Sequence, residues 1–281
     1  MNSSVAYIYG FLPTDFGRVS DAMMESATDN SVYTWENNSI YYITNGIWSP
    51  LKRVDDGWGF WDGVRSANLF LENFDPKVLE RFQYNEDYDE MIDKASKFSL
   101  EVRFLRAFYL FELAKRYGDI PLITRTYTQE EINSVRKTSF ADVIDFIAKE
   151  CTEITREGGL PEDGVRGETG RVTKGAALAL KSRALLYAAS DLHNPAHDLT
   201  KWEAAAKAAY EVIKMNKYQL PNVSTDPLYS DLGGNEVLKS KQLIFERRAI
   251  ATTSDFESRN EPMGYEGAEG GNTPTQNLVD A

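Results

Sequence analysis

Leu100-Glu101-Val102-Arg103-Phe104-Leu105-Arg106-Ala107-Phe108-Tyr109-Leu110-Phe111-Glu112-Leu113-Ala114-Lys115-Arg116-Tyr117 is the stretch that decides the fold class. Its apolar residues, Phe104, Leu105, Phe108, Tyr109, Leu110, Phe111 and Leu113, run round every side of a helical projection. The charges change sides along its length, from Arg103 and Arg106 to Glu112, Lys115 and Arg116. A helix of this kind has to be covered by neighbours on several sides. Gly118 supplies a C-terminal stop and Pro121 keeps the chain from continuing.

The neighbours are legible on either side. Residues 139–157 place Phe140, Val143, Ile144, Ile147, Cys151 and Ile154 on one stripe, with Asp142, Asp145, Lys149, Glu153 and Arg156 largely opposite. This is the pattern of an amphipathic surface helix. Residues 173–190 are rich in Ala with Leu and Tyr, and small residues let helices approach closely. Thr200-Lys201-Trp202-Glu203 reads as a capping box opening a further helix, with Trp202, Ala205, Ala206, Ala209 and Ile213 as its apolar side. Stacked hairpins follow, 58–74 against 88–117 and 140–157 against 173–190, a mostly α, tetratricopeptide-like arrangement without a strict repeat. The region 158–171 is a connecting loop. The chain also begins in what reads as the middle of a helix (Val5 to Tyr9).

After about residue 217 the character changes. Tyr218-Gln219-Leu220 and Gln242-Leu243-Ile244-Phe245 are short strand-like pieces, and 261–275, with Gly264, Gly267, Gly270, Gly271, Pro262 and Pro274, reads as a loop. The expected organisation is a helical region over 1–217 and an incomplete loop- and strand-rich region over 218–281.

Composition narrows the chemistry. The 281 residues carry 43 acidic against 31 basic side chains, a net charge of −12, which argues against binding a phosphate backbone. One cysteine, Cys151, and two histidines, His193 and His197, leave no cluster for a structural metal. Cys151 lies in line with the apolar stripe of its helix and reads as a small core residue. No stretch resembles a signal peptide or reaches the roughly 20 apolar residues of a membrane span.

Several runs occur in a fixed order: Arg103 to Phe111 followed by Tyr117-Gly118-Asp119-Ile120-Pro121-Leu122-Ile123, then Gly170-Arg171-Val172-Thr173-Lys174-Gly175-Ala176-Ala177 continuing to Ala188. Trp202 with its Ala-rich helix, Ile244-Phe245-Glu246, and Pro274-Thr275-Gln276-Asn277-Leu278-Val279-Asp280 come next. In content and order these runs resemble the SusD/RagB family. The similarity runs from about residue 20 to the end, as for an amino-terminal portion or truncated member. It implies a SusD-like α superhelix that holds oligosaccharide or polysaccharide without catalysis or cofactor. It also implies a SusC-like TonB-dependent transporter as partner and a lipid-anchored place at the outer-membrane cell surface. The family's export signal and lipidated cysteine are not seen in this sequence, since Cys151 follows no lipobox.

A sugar offers a weakly apolar CH face and a rim of hydroxyls, which aromatic rings and Asn, Asp or Arg side chains match. Four of the five tryptophans fall in 29–61 among Asn, Asp and Ser. Asp29, Trp35, Asn37, Trp48 and Arg53 are the candidate glycan contacts, with Tyr265 on the Gly-rich loop as a further one. Trp58 and Trp61 start a helical pattern with Val64, Ala67 and Leu71 and are expected in the core. Two other classes stay open on the residues. Asp55, Asp56 and Asp62 form a carboxylate cluster of the sort a glycoside hydrolase uses, and an intracellular helical-repeat scaffold that binds peptides fits the missing signal. The Gly264–Gly271 run lacks the Gly-Lys-Ser/Thr of a phosphate loop.

Overall fold

The computed structural model describes residues 2–13, 19–163, 170–220, 241–247 and 259–280. Helices dominate: α1 (Asn2–Tyr9), the short α2 (Tyr41–Thr44), α3 (Phe60–Asn73), α4 (Tyr88–Tyr117), the one-turn α5 (Gln129–Ile132), α6 (Phe140–Ile154), α7 (Lys174–Ala189) and α8 (Leu199–Lys214). Two three-residue strands, β1 (Ser31–Tyr33) and β2 (Asn272–Pro274), are joined in one small antiparallel sheet. The chain forms two compact units, Met1–Phe11 with Trp58–Glu246 and Leu12–Gly57 with Arg247–Ala281.

In the first unit the helices stack in sequence order: α3 on α4, α4 on α6, α6 on α7, and α7 on α8. α4 is the central rod, and its apolar circumference is covered as the sequence demands. Val102, Phe104, Leu105, Tyr109, Leu110, Phe111 and Leu113 are all buried. It ends at Gly118, whose φ of 68° lies in the left-handed region that a side chain would strain. α6 is capped by Ser139, whose hydroxyl accepts from the Asp142 amide at 3.2 Å. Its stripe Val143, Ile144, Ile147, Cys151 and Ile154 is buried to within 1%. Each such aliphatic side chain contributes at most roughly 1.5–3 kcal/mol of burial.

Charges buried inside the stack are matched. Glu150 of α6 receives Arg103 at 2.7 Å and Arg106 at 3.1 Å from α4. Burial raises the Glu150 pKa, but the bonds and positive charge of Arg103, then of Arg106, outweigh it and hold the carboxyl below its ordinary value. Glu101 takes the Arg171 guanidinium at 2.9 Å and the Tyr9 hydroxyl at 2.6 Å, tying α1 and the approach to α7 onto α4.

Local readings are corrected in three places. α8 opens at Leu199, one residue before the expected capping box. The Asp198 carboxylate accepts from both the amide (2.9 Å) and the hydroxyl (2.7 Å) of Thr200 and is itself the cap. On that helix Ala205 and Ala208 are buried, while Trp202 and Ile213 stay exposed. Tyr218–Leu220 and Gln242–Phe245 form no strand; the Gln219 amide donates to the Lys241 carbonyl (3.0 Å), just before the second stretch. The strand near the C-terminus is instead Asn272–Pro274, inside the stretch that reads as a loop.

The second unit is built around that strand. Ser31 pairs with Pro274, Val32 with Thr273 and Tyr33 with Asn272. Proline is tolerated because it sits at the strand's last position. The Asn272 side-chain oxygen accepts from the Met23 amide (2.9 Å) and the Ser26 hydroxyl (2.8 Å), and Arg259 pairs with Asp21. Val19, Ala22, Tyr33 and Ile40 form the core beneath.

Candidate functional site

All six sequence-derived contact residues belong to the second unit: Asp29, Trp35, Asn37, Trp48 and Arg53 from its first segment and Tyr265 from its second. Trp35 follows β1 directly. The Thr34 hydroxyl anchors that strand end to the Gly270 and Gly271 carbonyls, and the Tyr33 ring meets the Trp35 ring edge-on at 5.7 Å. Trp35 is 41% exposed. The turn after it is fixed by buried Asn38, which donates to the Ser20 carbonyl (2.6 Å) and accepts from the Ile40 amide (2.9 Å). Its neighbour Asn37 is left exposed.

Trp48 is held by its backbone only, its amide donating to the Tyr42 carbonyl at 2.8 Å. The residue is 65% exposed, and its ring meets no other ring among the described residues. Arg53 is exposed and pairs loosely with Asp56 at 3.7 Å. Asp29 is exposed, and its carbonyl accepts from the Thr275 hydroxyl. Tyr265 is 70% exposed, and its carbonyl accepts from the Ala268 amide at 3.1 Å. The strand pair therefore brings Trp35 beside the loop that carries Tyr265. Among the described residues no hydrogen bond or ring contact joins Trp48 or Arg53 to Trp35 or Tyr265.

The first unit holds a feature that the linear reading missed. Trp58 does not enter the core: it is 57% exposed, its ring tilted 55° against Tyr117 at 5.5 Å. α3 begins only at Phe60, so its buried face is Phe60, Gly63, Val64, Ala67 and Asn68, and Trp61 falls off that stripe. Trp58, Trp61, Tyr117 and Tyr127 line a cavity of about 810 Å³ bounded by the chain between α4 and α6. Asp62, of the carboxylate cluster, sits in its wall, whereas Asp55 and Asp56 belong to the other unit.

Residues 13–186 match the SusD-like family described as starch-binding and associating with the outer membrane. No curated protein matches the sequence. A SusD-like protein from Bacteroides fragilis NCTC 9343 has 26% identity and a TM-score of 0.73, aligning 98% of this chain with 51% of its own. A SusD superfamily protein from Parabacteroides distasonis ATCC 8503 shares the fold at 22% identity and a TM-score of 0.70, over 99% of this chain and 59% of its own. Surface glycan-binding protein A from Bacteroides thetaiotaomicron, solved with laminarihexaose, does so at 15% identity and 0.67, over 99% and 59%. The chain thus spans little more than half the length of these relatives. No described helix is long and apolar enough to cross a membrane. The chain belongs to the SusD-like family.

Proposed function

We propose that the chain binds oligosaccharide at the cell surface without cleaving it, and that the complete protein hands the glycan to a SusC-like TonB-dependent transporter. The observation that carries the reading is the exposure of two tryptophans and a tyrosine in the second unit, Trp35, Trp48 and Tyr265, on backbone fixed by its own hydrogen bonds. An aromatic ring on fixed backbone has only two side-chain torsions to order when it stacks on a sugar face. Asp29, Asn37 and Arg53 supply acceptors and donors for the hydroxyl rim. One relative is described with laminarihexaose bound and another as laminarin-binding, which makes β-glucans as well as starch-type α-glucans the first ligands to try. Weak sites suffice for a protein tethered beside its transporter, because tethering raises effective concentration.

The test is calorimetric titration with maltohexaose and laminarihexaose, with reducing ends assayed in parallel. Binding without new reducing ends supports the reading. Trp35→Ala and Trp48→Ala are each expected to weaken binding by about tenfold, roughly 1.4 kcal/mol, with helicity unchanged. Unchanged affinity in both variants removes these rings from the site. Release of reducing ends that Asp55→Asn or Asp62→Asn abolishes favours a hydrolase instead.

A further inference from the structure

We propose that the cavity lined by Trp58, Trp61, Tyr117 and Tyr127 in the helical unit is a second site for a neutral carbohydrate. The proposal rests on the reading of the chain as a glycan binder and adds a site that the sequence-derived residues do not include.

The wall is formed before any ligand arrives. Asn68, wholly buried in α3, donates to the carbonyls of Ile123 (3.2 Å) and Arg125 (3.1 Å). Arg106 reaches from α4 to the Thr124 carbonyl (3.0 Å) and to the Asn68 side-chain oxygen (2.9 Å). Three successive carbonyls are thus held by two buried side chains. The next residues are gripped by carboxylates: Glu72 accepts from the amide (2.7 Å) and hydroxyl (2.6 Å) of Thr126. Glu131 accepts from Arg125 (2.8 Å) and from the Thr128 amide (2.9 Å), and these bonds, that from Arg125 foremost, pull its carboxyl down to about 2. A wall fixed by this many bonds has little freedom left to lose on binding.

The lining has the chemistry of a sugar site. Trp58 leans on Tyr117 and still exposes more than half its surface, while Tyr127 has the Arg125 guanidinium over its ring at 3.9 Å. The side chains of Asp62, Arg65, Gln129 and Lys137 also line the cavity and make no hydrogen bond or ion pair among the described residues. They are available to hydroxyls. Asp119 spends one oxygen on the Phe140 amide (2.8 Å), and Arg125 is neutralised by Glu131. Two acids, Asp62 and Asp119, then face two bases, Arg65 and Lys137, so the cavity selects neither anion nor cation. A lipid chain would leave those four charges unmatched, whereas a polyol satisfies them. About 810 Å³ falls within the range of roughly 300–1,000 Å³ typical of small-molecule sites.

The five tryptophans allow both sites to be followed separately in the full chain by their indole N–H nuclear magnetic resonance signals, with Trp202 as internal reference. Titration with maltohexaose and with laminarihexaose is expected to move the Trp58 and Trp61 signals saturably. That response should persist in Trp35→Ala/Trp48→Ala. Trp58→Ala, or Asp62→Asn, which leaves the ring in place, should weaken the Trp61 response by about tenfold while Trp35 and Trp48 respond as before. Silence of Trp58 and Trp61 at glycan levels that saturate Trp35 and Trp48 overturns the second site and leaves the loop site standing. The reverse pattern keeps the cavity and removes the loop reading. Silence of all four with both glucans overturns both, and an equal Trp58 response to hexaethylene glycol overturns carbohydrate recognition in the cavity.

Discussion

Gly63→Ala sets two opposing terms of similar size against each other, and the structure decides between them. In mid-helix, alanine is favoured over glycine by about 1 kcal/mol. At this position, however, the added methyl would lie 2.7 Å and 2.8 Å from two ring carbons of Tyr109 on α4, closer than van der Waals contact permits. The ring has few ways to retreat. Tyr109 is fully buried, its hydroxyl donates to the Ile8 carbonyl of α1, and its face stacks on Phe60 at 5.9 Å. Overpacking of this kind costs about 1–3 kcal/mol. With the ring held at both ends the upper part of that range applies, leaving a net destabilisation of about 1–2 kcal/mol after the helical gain. Urea unfolding followed by far-ultraviolet circular dichroism should show a lower midpoint for the variant. In a Tyr109→Phe background, where the hydroxyl tether is gone, the same substitution should cost at least about 0.5 kcal/mol less. A midpoint equal to or above that of the parent would refute the reasoning.

Glu150→Gln is expected to destabilise the chain by about 2–4 kcal/mol, because Arg106 is stranded with a side chain only 10% exposed. The same variant tests a pH effect. The Glu150 carboxyl is held below its ordinary value of 4.5, so its stabilisation is fully present above pH 4.5 and is lost as pH falls through the lower folded value. The acid limb of the stability curve should flatten in Glu150→Gln, and an unchanged limb would assign acid sensitivity to other groups. Cys151 is fully buried, and burial pushes its thiol up to about 12. Alkylation of native protein at neutral pH should therefore proceed only through global unfolding, with the logarithm of its rate rising linearly with denaturant. Labelling at the rate of a free thiol would mean that the helix opens locally.

The helical part was legible because its signals are local. The all-round apolar content of α4, the stripe of α6 and the small residues of α7 each specify burial without knowledge of the partner. Errors arose where one or two residues of phase matter. Trp58 and Trp61 look like the start of the α3 stripe, but α3 begins at Phe60, and with 3.6 residues per turn a shift of one residue rotates a side chain by about 100°. The capping of α8 slipped in the same way, since Asp198 competes for the Thr200 hydroxyl. The cavity was out of reach because its wall depends on Asn68 and Arg106, which resemble ordinary polar helix residues until tertiary structure buries them. A partial signal was nevertheless present: Tyr117 and Tyr127 flank a Pro121 segment that also carries Arg125. The β1–β2 pair had no local signal at all, since neither three-residue segment alternates long enough to read as a strand.

That pairing has a consequence for how the chain is made. The Thr273 hydroxyl bonds the Val32 carbonyl across 241 residues, and the whole helical unit except α1 lies between them. At roughly 5–20 residues per second, a ribosome takes on the order of 10–50 s to deliver β2 after β1 has emerged. Throughout that interval β1 has an unsatisfied edge and Tyr33 lacks part of its cover, the condition in which nascent segments recruit chaperones or stray strands. The helices, whose contacts are between sequence neighbours, are free to assemble during the same wait. Synthesis therefore favours an order in which the stack forms first and the two ends of the second unit are brought together last.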